Sequence, residues 1–376
     1  MRRRDCLLAA AALPWAAHAG PVLRVGVRHA VKSLAAAAQA ARDGMLIEVD
    51  ADDYFGDVAV WTQNDLTLRA VGGRVRLVAA GAHAQGKGIF VTRGQRMRIE
   101  GFDFIGCSVP DRNGAGIRLE AGSLSLLGCG FRDNENGLLS ANDPSIELDI
   151  VDCEFGPIPL RDGYTHNLYV GAIKRLAVSG SYFHHGLLGH LLKSRAALNH
   201  ILYNRLTDEI GGRASYELEM PNGGVSVVMG NLIQQSSTTE NPHVISVGAE
   251  GASAGRQALY LVNNTLVDLR PSGGIWLRVQ PAQTEVVLAN NLLVGGPRLA
   301  ADAYWTRRAN FNVDFDEFVQ ATRDDYRLRP ESALRGKAAD AGEGGGLRLQ
   351  PTREYRHPHT SVALAGPARQ PGAFQG

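Results

Sequence analysis

Asn263-Asn264-Thr265-Leu266 and Asn290-Asn291-Leu292-Leu293 are the last two of eight versions of one short run. Earlier in the chain the run reads GFDF at 101–104, GCGF at 128–131, DCEF at 152–155, GSYF at 180–183, YNRL at 203–206 and GNLI at 230–233. Counted at the second residue, successive runs lie 27, 24, 28, 23, 27, 33 and 27 residues apart. Each follows an alternating apolar segment, such as LSLL before Gly128 or LYLV before Asn263, and a second segment such as NLYV or GIWL comes soon after. Period-two alternation bounded by Gly and Asn marks strands. Short strands in an irregular period of ~20–30 residues, with no helical periodicity between them, predict an all-β, single-stranded right-handed parallel β-helix. Propeller blades need repeats of ~40 residues and antiparallel hairpin turns, and neither is present.

The stacked coils predict a corner ladder of Asn204, Asn231, Asn264 and Asn291, whose amides satisfy one another, with glycines supplying positive-φ corners beside it. An open solenoid end exposes strand edges and must be covered. Residues 33–43, with Ser33 as N-cap and Gly44 as the stop, read as the helix that plugs it. This divides the chain into a signal segment at 1–19, an N-terminal capping segment at 20–48, the β-helix at 49–300 and a wrapping tail at 301–376.

The first 19 residues have a basic start, an apolar run and an Ala-His-Ala end, which predicts export with cleavage before Gly20, to the periplasm or outside the cell. Arg3-Arg4-Asp5-Cys6-Leu7 resembles a twin-arginine signal. No later stretch approaches the ~20 apolar residues of a membrane span. The formal charge is +1, and without the three Arg and one Asp of the leader it becomes −1, so no basic field for nucleic acid exists. Export leaves Cys107, Cys129 and Cys153 of the four cysteines. Cys129 and Cys153 occupy equivalent positions in their runs and read either as stacked buried thiols or as a pair within disulfide reach.

Ionisable residues of one kind of position concentrate between 163 and 224. Aligning inward apolar positions puts Leu168, Leu192 and Leu218 on one level. Alternation then turns Asn167 and Tyr169 outward on one strand, Leu191, Lys193 and Arg195 on the next, and Glu217 and Glu219 on the third. Tyr169, Lys193 and Glu219 form a column with rungs ~4.8 Å apart, and His166 aligns with His190. Each could be no more than a surface rung. Together they mark a groove suited to an extended chain.

Lys193-Ser194, with Asn199 and the Asn204 corner beyond, resembles the Lys-Ser-x-x-Asn element of the chondroitinase B and alginate lyase family of parallel β-helix enzymes, although Asn199 lies two residues further on than that pattern. The resemblance implies an exported enzyme that cleaves an acidic polysaccharide by β-elimination, with Lys193 as the base. Two positions depart from it. Gly186 and Leu188 stand where the family carries acidic calcium ligands, and Glu219 stands where its catalytic arginine is expected one coil later. The sequence therefore requires no cofactor and leaves a calcium site unsupported.

Elimination on a uronate needs its carboxylate neutralised, a base for the C5 proton and an acid for the departing O4. Lys193 is the expected base, Tyr169 the acid and Arg195 the carboxylate clamp. Glu219 beside Lys193 opposes a neutral amine unless it turns away or pairs with Arg213. His166, Asn167, His190, Arg213, Glu217 and Glu250 are expected to bind substrate, and no metal is assigned. A monomer is expected. A second reading makes Glu217 and Glu219, two residues apart on one face, the carboxyl pair of a glycoside hydrolase. A third is a solenoid that binds carbohydrate without cutting it.

Overall fold

The computed structural model describes residues 20–159, 165–253, 255–281, 284–296, 299 and 304–376. The signal segment at 1–19 and the 300/301 boundary lie outside them. Three sheets of twelve, nine and eleven strands surround one continuous apolar interior. Each central coil adds a strand to every sheet in a fixed order. One coil, for instance, runs through Ser123–Leu127 in the twelve-stranded sheet, Gly130–Arg132 in the eleven-stranded sheet and Asn136–Ser140 in the nine-stranded sheet. Neighbouring coils pair in parallel on all three faces. The fold is a parallel β-helix.

The eight runs are the corner between the twelve- and eleven-stranded sheets. Their first residues all have positive φ, between 52° and 78°. Glycine adopts this freely, whereas the other residue types do so at a cost of about 1 kcal/mol. Tyr203 bears that cost with an aromatic side chain; its hydroxyl accepts from Thr352 N at 3.2 Å in the tail. From Cys153 onward the second residues turn inward and accept the backbone N–H of the preceding run. The column passes from Cys153 Sγ (3.3 Å from Cys129 N) through Ser181 Oγ and Asn204 Oδ1 to the asparagines. All three cysteines among the described residues are free, buried thiols. Fourth residues build the core: Phe104, Phe131, Phe155 and Phe183 stack with centroids 5.1, 4.5 and 4.7 Å apart and nearly parallel rings.

At the N-terminus a strand, Val22–Val25, already pairs with Leu46–Asp50, so the solenoid begins before the helix and not after it. The helix covers only Leu34–Ala40. Ser33 Oγ accepts from Ala36 N, and the Asp57 carboxylate takes Leu34 N and Ala35 N at 2.6 and 2.9 Å. The expected extension to residue 43 fails for a local reason. Ala41 turns extended, Gln63 donates to Ala38 O and Ala41 O, and Asp43 is drawn off to cap Asn64 N. At the far end Thr306–Arg308 and Phe311–Val313 still pair as solenoid strands, beyond the boundary drawn at 300. The tail's apolar residues then pack on two faces: Ala341, Leu347 and Leu349 against Val227 and Tyr260, and Phe318, Tyr326 and Leu328 against Leu232 and Val267. These are the outer faces of the twelve- and eleven-stranded sheets.

Candidate active site

The nine-stranded sheet carries the remaining polar concentration. Its strands His166–Val170, His190–Ser194 and Tyr216–Met220 pair so that Leu168, Leu192 and Leu218 share one level. Tyr169, Lys193 and Glu219 share the next. The leucines lie in the core, and the second trio faces outward. The Lys193 strand ends in a lock rather than in further chemistry: Ser194 Oγ donates to Asn199 Oδ1 at 2.6 Å, and Asn199 Nδ2 reaches Ala196 O and Ser226 Oγ. Both residues are fully buried, so the Lys-Ser…Asn element fixes where the lysine emerges.

Lys193 Nζ stands 3.1 Å from Glu219 Oε2 and 3.0 Å from Glu250 Oε1. The other Glu250 oxygen is 2.7 Å from Arg195 Nη2. Arg195 also donates from Nε to Tyr169 Oη at 3.0 Å and from Nη1 to Asn222 Oδ1 at 2.5 Å. On the other side Glu219 Oε2 lies 2.9 Å from His190 Nε2. His166 Nδ1 accepts the His190 backbone N–H at 3.0 Å. Lys193 and Glu219 are shielded, with side chains 11% and 5% exposed, whereas Glu250 is 45% exposed and lies over them.

Burial, helped by the neighbouring His190, Lys193 and Arg195 charges, holds the His166 pKa well below its ordinary value. Burial also lowers that of His190, against the pull of Glu219. Both imidazoles are therefore neutral near pH 7. Burial alone would raise Glu219, but His190 and Lys193 outweigh it and hold the carboxyl below its usual range. Glu250 behaves likewise under Lys193 and Arg195. The patch is a set of proton-handling groups around a pair of cations, with one exposed carboxylate seated on both.

Three expected residues do not join it. Asn167 and Glu217 are fully buried, because two successive residues turn inward at this point of each strand and strict alternation breaks. Asn167 Nδ2 donates to Phe155 O and His184 O across the interior corner. At the equivalent Gly137 a Cβ would meet the Phe155 ring at 2.8 Å. Arg213 pairs with Glu240 at 2.8 Å in an exposed turn and leaves Glu219 to His190 and Lys193. With Glu217 inside and Glu219 outside, the hydrolase carboxyl pair does not form. Asn222 was missed; it lies in the turn after the Glu219 strand, where the coil pattern is silent. Tyr216 was also passed over as part of the column, although it pairs with His190 and its ring stacks there at 5.0 Å.

Glu217 supports a prediction of its own. Burial, then the neighbouring Asp208, push its carboxyl well above the ordinary value, and burial pushes Asp208 up to about 7. Neither Glu217 oxygen accepts a well-formed hydrogen bond among the described residues, and the Thr239 hydroxyl offsets the burial only in part. A raised folded pKa means that the native state keeps a proton that the unfolded chain releases. The stability it contributes is present below pH 4.5 and is lost as pH rises through the folded value. Glu217→Gln, neutral at every pH, is expected to gain on the order of 1–3 kcal/mol over wild type above about pH 7 and little below pH 4.5. Thermal melts across that range check it; an equal shift at both ends would disprove it.

The calcium ion implied by the family resemblance has no fit. Gly186 and Leu188 offer no carboxylate, and among the described residues no group of three or more His, Cys, Asp or Glu side chains is arranged to hold a metal. No helix among the described residues is long and apolar enough to cross a membrane. No protein-family profile matches the chain, and no curated protein matches it in sequence. Among solved structures the chain is similar to the crystal structure of pectate lyase Pel9A, with a TM-score of 0.49 and 12% identity over 92% of this chain and 91% of that one.

Proposed function

We propose that this β-helix is an exported lyase that cleaves a uronic-acid polysaccharide by β-elimination on the outer face of its nine-stranded sheet. The observation that supports it is the seating of one carboxylate, that of Glu250, on Lys193 and Arg195 together, beside the Tyr169 hydroxyl. A substrate uronate that displaces Glu250 would take the same seat. Its charge would then be neutralised by Arg195, with the Lys193 amine a hydrogen-bond donor to the same carboxylate, which acidifies the adjacent C5–H.

In the resting site Lys193 is paired with two carboxylates. Acting as the base requires that it first release a proton to solvent, which the charge of Glu219, 3.1 Å away, opposes and which substrate binding in place of Glu250 must permit. The amine then takes the C5 proton, the C4–C5 double bond forms and the C4–O4 bond breaks. Tyr169, whose oxygen accepts from Arg195 and whose own proton is free to donate, protonates O4. Arg195 steadies the phenolate left behind. His166 sets the His190 backbone and is a positioning residue.

The test is the ultraviolet absorbance of unsaturated uronate ends with a panel of uronic-acid polysaccharides. A flat trace with every member sinks the proposal; measurable binding alongside it would favour a solenoid that holds sugar without cutting. Glu250→Gln removes the competing charge at 45% exposure, so it is expected to lower KM by up to about fivefold. An increase in KM would show that Glu250 helps to hold substrate instead.

A further inference from the structure

The outward column of the nine-stranded sheet extends past the site in both directions. Reading through the paired strands it runs Arg118, Leu139, Tyr169, Lys193, Glu219, Ser246, Arg278. Arg118 and Arg278 therefore stand three rungs on either side of Lys193, ~14 Å each way. The centre of the column is balanced, with Lys193 and Arg195 against Glu219 and Glu250. Its ends are not. Neither Arg118 nor Arg278 makes an ion pair among the described residues, and Arg118 Nε is buried without a hydrogen-bond partner. The acid nearest Arg118 in the chain, Glu120, is already held by Lys87 and by Arg93 at 2.5 Å. A half-buried guanidinium with no counter-charge is costly to keep unless a ligand supplies one. Burial works against the Arg118 charge, and Glu120 offsets it only partly.

Resting on the proposed uronide lyase reading, we infer that Arg118 and Arg278 are outer carboxylate subsites, and that the substrate is a linear polyuronide lying along the solenoid axis over seven rungs. One pyranose of an extended chain is close in length to one rung, so a chain centred on Lys193 brings a sugar carboxylate within reach of each outer guanidinium. A neutral glycan would leave both cations uncompensated.

The test measures binding in a Tyr169→Phe background, which removes the proton donor and keeps every cation. The probes are trimers and nonamers of galacturonate and of mannuronate. Arg118→Gln and Arg278→Gln are each expected to weaken nonamer binding about five- to tenfold, to multiply in the double variant, and to leave the trimer affinity as it was. Arg118→Lys, which keeps the charge, should retain most of the nonamer affinity even if Gln disturbs packing. A nonamer that binds no tighter than a trimer overturns the inference, as does an equal loss for both lengths or no binding of either. These readouts need no turnover. A protein that prefers nonamers through the two arginines and yields no unsaturated ends would retain the subsites and lose the lyase chemistry.

Discussion

Lys193→Ala is expected to lower kcat for unsaturated product by roughly a thousandfold or more, because it removes both the base and half of the carboxylate seat. The loss alone would not separate those two roles, and Lys193→Arg does. Arginine keeps a cation between Glu219 and Glu250, the partners now at 3.1 and 3.0 Å, but it stays protonated at any working pH. If Lys193 takes the C5 proton, the Arg variant should be as inactive as Ala while still binding substrate. If Lys193 only neutralises the carboxylate, Arg should keep most of the rate. Wild-type rates in the Ala variant would remove Lys193 from the chemistry altogether. Thermal melts of both variants guard against misfolding, since the lysine side chain is only 11% exposed.

The site was legible where its geometry follows from register. Leu168, Leu192 and Leu218 are the same residue type at the same point of three coils, and aligning them carries Tyr169, Lys193 and Glu219 into one column without further information. Glu217 was misplaced by the same logic. Alternation assumes that every residue flips face, and here the strand leaves a corner with two inward residues in a row. Nothing in Tyr216-Glu217-Leu218 marks that break, and a buried glutamate is the last thing polarity suggests. Glu250 was named, but as a substrate-binding residue and not as the partner of both cations. It reaches Lys193 from a turn 57 residues further on, and only the folded coil shows it bridging two cations. Arg213 was offered to Glu219 as a charge partner; the turn that carries it sends it to Glu240 instead. Contacts made by turns depend on turn shape, which the strand period does not encode.

The corner ladder is where sequence and stability meet most directly. Asn264 Oδ1 accepts both Asn231 N and Asn231 Nδ2 at 3.0 Å. Its own Nδ2 donates to Val228 O, Val262 O and Asn291 Oδ1 at 2.8 to 3.1 Å. Every one of these groups is buried, so no water can replace a lost partner. Asn264→Leu, nearly the same in size, would orphan the Asn231 backbone N–H, take one of the two acceptors of the Asn231 amide, which keeps Ile201 O at 2.8 Å, and remove the donor to Val228 O and Asn291 Oδ1. We expect it to cost on the order of 3–5 kcal/mol. Because a coil contacts only its neighbours, the loss should loosen the coils around it before the rest. Asn310 is the natural comparison. It ends the ladder, accepting Asn291 N and Nδ2 at 3.1 and 2.8 Å, but it is only half-buried. Water can take its place there, and Asn310→Leu should cost about 1 kcal/mol. Chemical denaturation of the two variants, with hydrogen exchange at Asn231 N and Asn204 N, measures the difference. Equal costs at the two positions would mean that the ladder is held by strand pairing alone and that its amides contribute nothing beyond fitting the corner.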